Sequence, residues 1–154
     1  YEKKWLNMMR DKLGLFGEDT KDQVLILDLL TWMHQNKADY TNTFCFLMNE
    51  KVINIKIYEN ENFLIWKKRW DERMLLNNKN PEKCLALMRS VNPLVIPRNH
   101  NVEDALLAAN NNDLTLFNKL INILGKPYQN QKEISDYQLP APLSNQKYQT
   151  FCGT

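Results

Sequence analysis

The sequence predicts an all-α fold of about seven helices, with a C-terminal αα-hairpin and an extended C-terminal tail. Three observations support this prediction. Apolar residues recur at three- and four-residue spacing through most of residues 1–128, which is the period of an amphipathic helix. Only four glycines occur in 154 residues, too few for a turn-rich β fold. One stretch, residues 52–58, alternates as a strand would, and a single short strand has no partner.

The first two helices are predicted from periodicity and from a capping motif. Residues 3–13 place four apolar side chains on one face: Trp5, Met8, Met9 and Leu13. Gly14 ends this helix. A second helix is predicted to begin near Thr20, because Thr20 and Gln23 have the spacing of a capping box. Its residues 24–33 are apolar almost all round, which favours a central, well-covered helix.

A third helix is predicted after Asp39, with apolar residues near its end: Phe44, Phe46, Leu47 and Met48. The stretch that follows, from Val52 to Tyr58, alternates from Ile53 onward. Because it has no partner strand, we interpret it as an extended connector or as the tail of the third helix.

The fourth helix has the clearest pattern and is predicted to begin near Asn62. Its apolar stripe consists of Phe63, Trp66, Trp70 and Met74. We expect the tryptophans to pack in the core rather than to stack on a ligand. The basic residues 67–69 are interpreted as a solvated helix face rather than a phosphate-binding patch. A fifth helix is predicted from Asn80-Pro81, a cap followed by proline, to just before Asn92-Pro93.

The sixth and seventh helices are predicted to form the αα-hairpin. Asn101 is expected to cap the sixth helix, whose packing face consists of Ala105, Leu106, Leu107 and Ala109. Asn112-Asp113 is expected to cap the seventh, whose packing face consists of Leu116, Phe117, Leu120, Ile121 and Leu124. Residues 129–154 are polar and lack sustained periodicity. We therefore divide the chain into a helical region, 1–128, and an extended tail, 129–154, with aromatic anchors at Tyr128, Tyr137, Tyr148 and Phe151.

Composition excludes several classes of function. Twenty basic and eighteen acidic residues give a net charge of +2 without a concentrated basic stripe, so no nucleic-acid partner is expected. No apolar run approaches the roughly 18–20 residues needed to span a bilayer, so no membrane partner and a cytoplasmic location are expected. The three cysteines Cys45, Cys84 and Cys152 are too widely spaced for a zinc site, and their odd number does not suit a disulfide-stapled module.

No catalytic motif of the hydrolase, metalloprotease, P-loop or kinase type is present. We therefore assign no catalytic, cofactor-binding or metal-ligating residue in this chain. His34 is interpreted as a surface or capping residue late in the second helix, where a cation suits the helix dipole. His100 is placed in the loop before the sixth helix, with loop hydrogen bonding favoured over a role in a site.

One block goes beyond generic helical patterning. Residues 92–106 read N-P-L-V-I-P-R-N-H-N-V-E-D-A-L, and the chain ends Y-Q-T-F-C-G-T over residues 148–154. Together with residues 9–15 and 39–41, these segments resemble the C-terminal part of the selenoprotein O family. The resemblance covers nearly the whole chain. It implies that Thr154 is the natural end and that the missing portion lies before Tyr1.

The resemblance implies a kinase-like parent that transfers AMP from ATP, bound with metal ions such as magnesium, to Ser, Thr or Tyr of proteins. The ATP-handling and metal-binding motifs of the family match no position here. The chain is therefore expected to be a supporting portion, inactive alone, with the missing N-terminal kinase-like domain and the parent's protein substrates as partners. Its apolar surface, exposed without that domain, could also mediate dimerisation. The alternative is an independent helical scaffold that binds a protein partner.

Four residues carry what the resemblance implies about sites. Cys152 is third from the end, and the family suggests redox control through a disulfide between this cysteine and one in the kinase-like core. The alternative is a free, unregulated thiol. Arg98, Asn99 and His100 could brace the active-site region of the parent. Alternatively, Arg98 and Asn99 simply satisfy loop carbonyls and helix amides.

Overall fold

The computed structural model describes residues 2–76 and 80–141. Within them the chain forms eight α-helices and one 3₁₀ helix, and no strand, so the all-α prediction is confirmed. The elements are α1 Glu2–Lys12, α2 Asp22–Asn36, α3 Tyr40–Leu47, a 3₁₀ helix Ile55–Glu59, α4 Glu61–Leu76, α5 Pro81–Val91, α6 Asn99–Asn110, α7 Thr115–Leu124 and α8 Ile134–Gln138.

The start of α2 differs from the prediction. The helix begins at Asp22, and Thr20 does not act as its capping residue, so the capping-box prediction was wrong. The amides of the preceding turn bond instead to aspartates: Lys21 N–H donates to Asp19 Oδ1 (2.8 Å), and Asp19 N–H donates to Asp22 Oδ2 (3.0 Å). Carboxylates on both sides of Thr20 therefore satisfy amides of the turn before α2, whose N-cap residue, Lys21, makes no side-chain capping bond.

Helix α2 is covered on one side only. Leu25, Ile26 and Leu29 are buried, whereas Val24 and Leu27 are 54% and 46% exposed. The prediction of a helix covered all round was therefore wrong for the outer face. Met8 on α1 is similarly exposed, although it was predicted to share the packing face with Met9. Periodicity identifies apolar positions, but it does not supply the neighbour that would cover them.

Helix α3 begins as predicted. The Asp39 side chain accepts a hydrogen bond from the backbone N–H of Asn42 at 2.9 Å, which is the geometry of a helix N-cap. The connector after α3 contains the 3₁₀ helix rather than a strand. Asn49 and Asn54 have φ near +60°, so the chain leaves the α3 conformation before the 3₁₀ turn begins. The connector interpretation is right that a separate segment follows α3, but that segment is not extended, because residues 55–59 form the 3₁₀ helix. The helical-tail interpretation is wrong.

The aromatic stripe of α4 forms the centre of the core, as predicted. Phe63 is fully buried, and the ring centroids of Trp32 and Trp66 lie 4.6 and 5.6 Å from its own. The indole N–H of Trp66 donates to the carbonyl of Leu25 at 2.8 Å, so its polar edge is satisfied inside the core. The indole N–H of Trp70 donates to Leu13 O at 2.9 Å in the same way.

Helix α5 is capped as predicted and lies close to the end of α1. The Asn80 side chain accepts hydrogen bonds from the amides of Glu82 and Lys83, and Pro81 is the first helical residue. Gly14 has φ +67°, and a Cβ at this position would lie 2.8 Å from the carbonyl oxygen of Cys84. Both the backbone conformation and the space therefore require glycine.

The αα-hairpin is present, but its helices begin and face differently from the prediction. Helix α6 begins at Asn99, two residues before the predicted cap Asn101, so that cap was wrong. Its Ala105 is buried. Most of the other residues predicted to pack on α6 and α7 are exposed: Leu106 52%, Leu107 63%, Leu116 41%, Phe117 37% and Ile121 53%. Leu120 is buried as predicted, together with Ile123.

A short helix, α8, lies in the region that shows no sustained periodicity. Ile134 and Gln138 of α8 are buried, and Tyr137 packs against the core, in keeping with its predicted role as an anchor. Tyr128 is 51% exposed. Tyr148, Phe151 and Cys152 lie outside the described residues. The helix was not predicted because two buried side chains in five residues are too few to show a period.

Candidate functional site

Two ion-pair clusters connect the helices, each centred on one aspartate, of which Asp22 is buried and Asp39 is half-buried. The first, the Asp22 cluster, joins Arg10 of α1, Asp22 of α2 and Arg73 of α4. The second, the Asp39–Arg98 joint, links the start of α3 to the residue that precedes α6. Buried charges must be paired and hydrogen-bonded, so these clusters fix how the surrounding segments meet.

The carboxylate of Asp22 is completely buried and receives donors on both oxygens. Arg10 Nε donates to Oδ2 and Arg73 Nε to Oδ1, each at 2.6 Å. Arg73 Nη2 adds a bond of 3.1 Å to Oδ2. The remaining donors of Arg73 reach the carbonyls of Phe16 and Gly17, both at 3.3 Å. One carboxylate thereby ties α1, α2, α4 and the α1–α2 turn together.

The surroundings of Asp22 favour its ionised form. Burial alone would raise the pKa of Asp22, but the hydrogen bonds from Arg73 and Arg10 outweigh burial and hold the pKa below its ordinary value. An open cleft of about 300 Å³ lies beside the cluster, and its lining includes Lys21, Arg69 and Glu72. Arg73 also bonds to two backbone carbonyls and Arg10 to the side-chain oxygen of Asn7, so the cluster is built to hold structure.

The Asp39–Arg98 joint is a two-pronged ion pair. Arg98 Nη1 donates to Asp39 Oδ2 at 2.7 Å, and Nη2 donates to Oδ1 at 3.0 Å. The same carboxylate caps α3 through Asn42 N–H. Burial would raise the pKa of Asp39, but the bonds from Arg98 and Asn42 and the charge of Arg98 hold it below its usual range. Arg98 thus fastens the loop before α6 to the first turn of α3.

Helix α8 is attached to the same joint by side-chain amides. The Asn42 side-chain amide donates to the carbonyl of Gln138 at 3.1 Å, and the Gln138 amide donates to the carbonyl of Leu94 at 2.8 Å. Two buried polar atoms here have no hydrogen-bond partner among the described residues, Asn42 Oδ1 and Arg98 Nε. Such atoms are commonly satisfied by a bound water molecule.

Asn92, at the start of the motif block, connects two further segments. Its amide donates to the carbonyls of Lys12 (2.8 Å) and Met88 (2.9 Å), and its Oδ1 accepts from Lys12 Nζ at 3.1 Å. Lys12 also lies over the rings of Tyr40 and Phe44, 5.5 and 5.0 Å from their centroids. Burial lowers the pKa of Lys12. The Asn-Pro step of the motif therefore joins the ends of α1 and α5.

The predicted site residues are placed in different surroundings. Arg98 bonds to the carboxylate of Asp39. The alternative drawn from the sequence had expected it to satisfy loop carbonyls and helix amides. Asn99 is exposed as the first residue of α6. His100, predicted in a loop, lies in the first turn of α6 and is partly buried, so its placement in the loop was wrong. Cys152 lies outside the described residues, and its redox role stays a prediction.

The two described cysteines are buried thiols. Burial, with a smaller contribution from the charges of Glu50 and Asp39, raises the pKa of Cys45 to about 12. Its thiol points to the carbonyls of Pro93 and Leu94, at 3.9 and 4.0 Å. Burial also raises the pKa of Cys84. Neither thiol has the exposed, low-pKa character of a reactive cysteine.

Both clusters pair carboxylates with arginines across segments and so organise the fold. Across residues 2–76 and 80–141, no group of three or more His, Cys, Asp or Glu residues could hold a metal ion. In the same part of the chain, no helix is both long enough and apolar enough to cross a bilayer.

The Asp22 cluster and the Asn92 contacts were not predicted. Arg73 carried a usable signal, because it lies beside Trp70 and Met74 on the apolar stripe of α4, where a charge is expected only if it is paired. Nothing in the local sequence identified its partner, since Asp22 is 51 residues away. Asn92 was recognised as a helix stop, and its side-chain contacts depend on tertiary packing.

Comparison with known proteins identifies relatives. A family model described as "Protein adenylyltransferase SelO" matches residues 1–125, which include α1 to α7. A "Protein nucleotidyltransferase YdiU" of Pelagibacter ubique is 56% identical over 154 residues, which is 100% of this chain and 32% of the relative. The protein of that name from Alcanivorax borkumensis is 48% identical over 155 residues, covering 100% of this chain and 32% of the relative.

A third relative of the same name, from Syntrophotalea carbinolica, is 46% identical over 147 residues, or 95% of this chain and 30% of the relative. The chain therefore spans about a third of the length of the curated relatives that it matches.

Proposed function

The chain belongs to the SelO family of protein adenylyltransferases, and we propose that it is the C-terminal helical portion of such an enzyme, supporting a catalytic part outside these residues. The proposed reaction of the whole protein is transfer of AMP from ATP to Ser, Thr or Tyr hydroxyls of protein substrates. The observation that carries the proposal is that the whole of this chain matches about a third of the length of its relative.

The pairing of carboxylates with arginines in the described residues favours a structural role for this chain. Asp22, which is buried, and Asp39, which is half-buried, both face arginine donors at hydrogen-bond distance. Their oxygens are occupied by protein donors, so neither is free to act as a metal ligand or a general base in this arrangement. Asp22 holds α1, α2 and α4 together, and Asp39 holds the start of α3 to the loop before α6.

The described residues do not fit a site for ATP with magnesium. Magnesium takes oxygen ligands from carboxylates together with substrate phosphates. The described part of the chain offers no metal-holding group of acidic residues, and the carboxylates of Asp22 and Asp39 are paired with arginine. We therefore assign ATP and magnesium to the part of the protein outside this chain, and no step of the reaction to these residues.

Calorimetry with ATP and magnesium tests this assignment. We expect no heat of binding from the 154-residue chain and clear binding from the full-length protein under the same conditions. Arg73→Lys in the full-length protein is a useful control, because it disturbs the Asp22 cluster and should leave ATP affinity within about threefold. Saturable ATP binding by the isolated chain would contradict the proposal.

We propose in addition that Cys152 regulates the whole protein through a disulfide with a cysteine in the catalytic part. This follows from the family resemblance of the last seven residues, 148–154. The buried Cys45 and Cys84, whose pKa values are raised, are poor partners for thiol exchange, which leaves the partner outside this chain. Peptide mass spectrometry of the oxidised full-length protein should find Cys152 cross-linked, and activity should recover on reduction. A free Cys152 thiol in oxidised, inactive protein would refute this role.

A further inference from the structure

Six large apolar side chains of the α6–α7 hairpin are exposed: Leu106, Leu107, Leu114, Leu116, Phe117 and Ile121, each between 37% and 63% accessible. We call these six residues the hairpin surface. They occur within residues 106–121, so one supersecondary unit carries a high density of apolar side chains in contact with water. Clusters of this kind mark sites that bind another protein surface.

The hairpin surface is left uncovered because α6 and α7 pack mainly on each other. Their buried residues, Ala105, Leu120 and Ile123, form the inner side. Polar contacts attach the hairpin to the body at its base, where Leu94 N–H donates to Pro127 O at 2.7 Å and the Gln131 amide donates to Ile123 O at 3.0 Å. The hairpin is therefore anchored at one end and presents its outer side to whatever lies beyond the described residues.

Other exposed apolar residues are set among charges. On α2, Val24 and Leu27 flank Asp28, which forms an ion pair of 2.7 Å with Arg69 of α4. A partner covering that face would have to desolvate an exposed ion pair, which opposes binding. The hairpin has exposed charged residues too, among them Asp104, Asp113 and Lys119. It nevertheless concentrates six exposed apolar side chains within residues 106–121, whereas α2 exposes two. The hairpin is therefore the better docking site.

We propose that the hairpin surface docks against the part of the same protein that lies outside this chain. The proposal rests on the proposed function, in which this chain is one portion of a longer enzyme. The relatives are about three times as long as the chain, so a covalently linked partner of roughly twice its size is available. A tethered partner has an effective concentration in the millimolar range, which favours it over a second copy or a free protein.

Cysteine labelling of the full-length protein tests the docking. Leu107→Cys reports on the hairpin surface, and Ile55→Cys is the matched control on the 3₁₀ helix. The native side chains are 63% and 57% exposed in this structure, so a free hairpin predicts similar labelling rates. Each rate is measured by peptide mass spectrometry and divided by the rate of the same peptide in urea. We expect Leu107→Cys to react at least about tenfold more slowly than Ile55→Cys.

Equal normalised rates at the two positions would overturn the proposal. If Leu107→Cys lowers the melting temperature of the protein, Leu106→Cys provides a second probe of the same surface. The labelling is repeated over about a hundredfold range of protein concentration, without protein substrate. Protection that is independent of concentration supports docking within one chain. Protection that disappears on dilution would overturn it and identify a second copy as the occupant.

AMP transfer by the unmodified full-length protein separates this inference from the proposed function. Transfer of AMP combined with unprotected Leu107→Cys would contradict the docking alone. Protection of Leu107→Cys in a protein that neither binds ATP nor transfers AMP would contradict the proposed function and leave the docking in place.

Discussion

Replacing Asp22 with asparagine should be among the most destabilising single changes in this chain. Arg10 Nε and Arg73 Nε each donate to a different oxygen of Asp22 at 2.6 Å. An asparagine of the same shape must place its NH₂ group where one of these oxygens was. In either orientation a donor then faces a guanidinium donor, and two buried arginines lose their counter-charge.

The structure sets the size of the effect. Asp22 has no exposed surface, and the side chains of Arg10 and Arg73 are only 9% and 7% exposed. Removing one partner of a buried ion pair costs about 3–5 kcal/mol, a large share of the 5–15 kcal/mol typical of a domain. The matched control is Asp28→Asn. Asp28 and Arg69 also lie 2.7 Å apart but are each 45% exposed, so this change should cost less than about 1 kcal/mol.

Urea denaturation of the 154-residue chain, followed by tryptophan fluorescence, measures both variants. The pH dependence provides a second check. Burial would raise the pKa of Asp22, but its arginine partners lower it overall. The stabilisation is therefore complete above the unfolded pKa of about 3.9 and is lost as the pH falls through the lower folded value. The difference between wild type and Asp22→Asn should shrink below about pH 4. If Asp22→Asn costs no more stability than Asp28→Asn at pH 7, the buried ion pairs of Asp22 do not stabilise the fold as argued.

Three further predictions concern single residues. Arg98→Ala should destabilise the chain by about 2–3 kcal/mol in urea denaturation, because it leaves the Asp39 carboxylate without its charged donor. A loss of stability below about 0.5 kcal/mol would show that the Asp39–Arg98 joint does not stabilise the fold. Gly14→Ala should cost at least about 1–2 kcal/mol for the left-handed backbone alone, with the close carbonyl of Cys84 adding to it; an unchanged denaturation midpoint would argue against this turn. At pH 8, Cys45 should react with a thiol reagent at least about a hundredfold more slowly in the folded chain than in urea, because burial raises its pKa to about 12; comparable rates would show that it is accessible.

Local signals in the sequence predicted the parts of the fold that depend on neighbouring residues. Asp39 and Asn80 cap their helices through amides two or three residues away, so a short motif contains the whole interaction. The stripe of α4 identified Phe63 and Trp66 as core residues because a full helical period was present.

The failures came where the interaction partner is distant or absent. Thr20 matched a capping motif, but Asp22, held by arginines 12 and 51 residues away, changed the local turn. On the hairpin, periodicity wrongly predicted that Leu107 and Phe117 pack within the chain, since both are exposed. It could not show that nothing among the described residues covers them. The same limit applied to the site residues. The motif singled out Arg98, but its partner Asp39 lies 59 residues earlier in the sequence and could not be predicted from it.

Incorporation of labelled AMP into protein tests directly whether this chain is a supporting portion of the enzyme without catalytic residues of its own. The full-length protein and the 154-residue chain are each incubated with ATP labelled on the α-phosphate, magnesium and a mixture of protein substrates. We predict label on protein with the full-length enzyme and none above background with the chain alone. Transfer of AMP by the isolated chain would contradict its assignment as a supporting portion without catalytic residues.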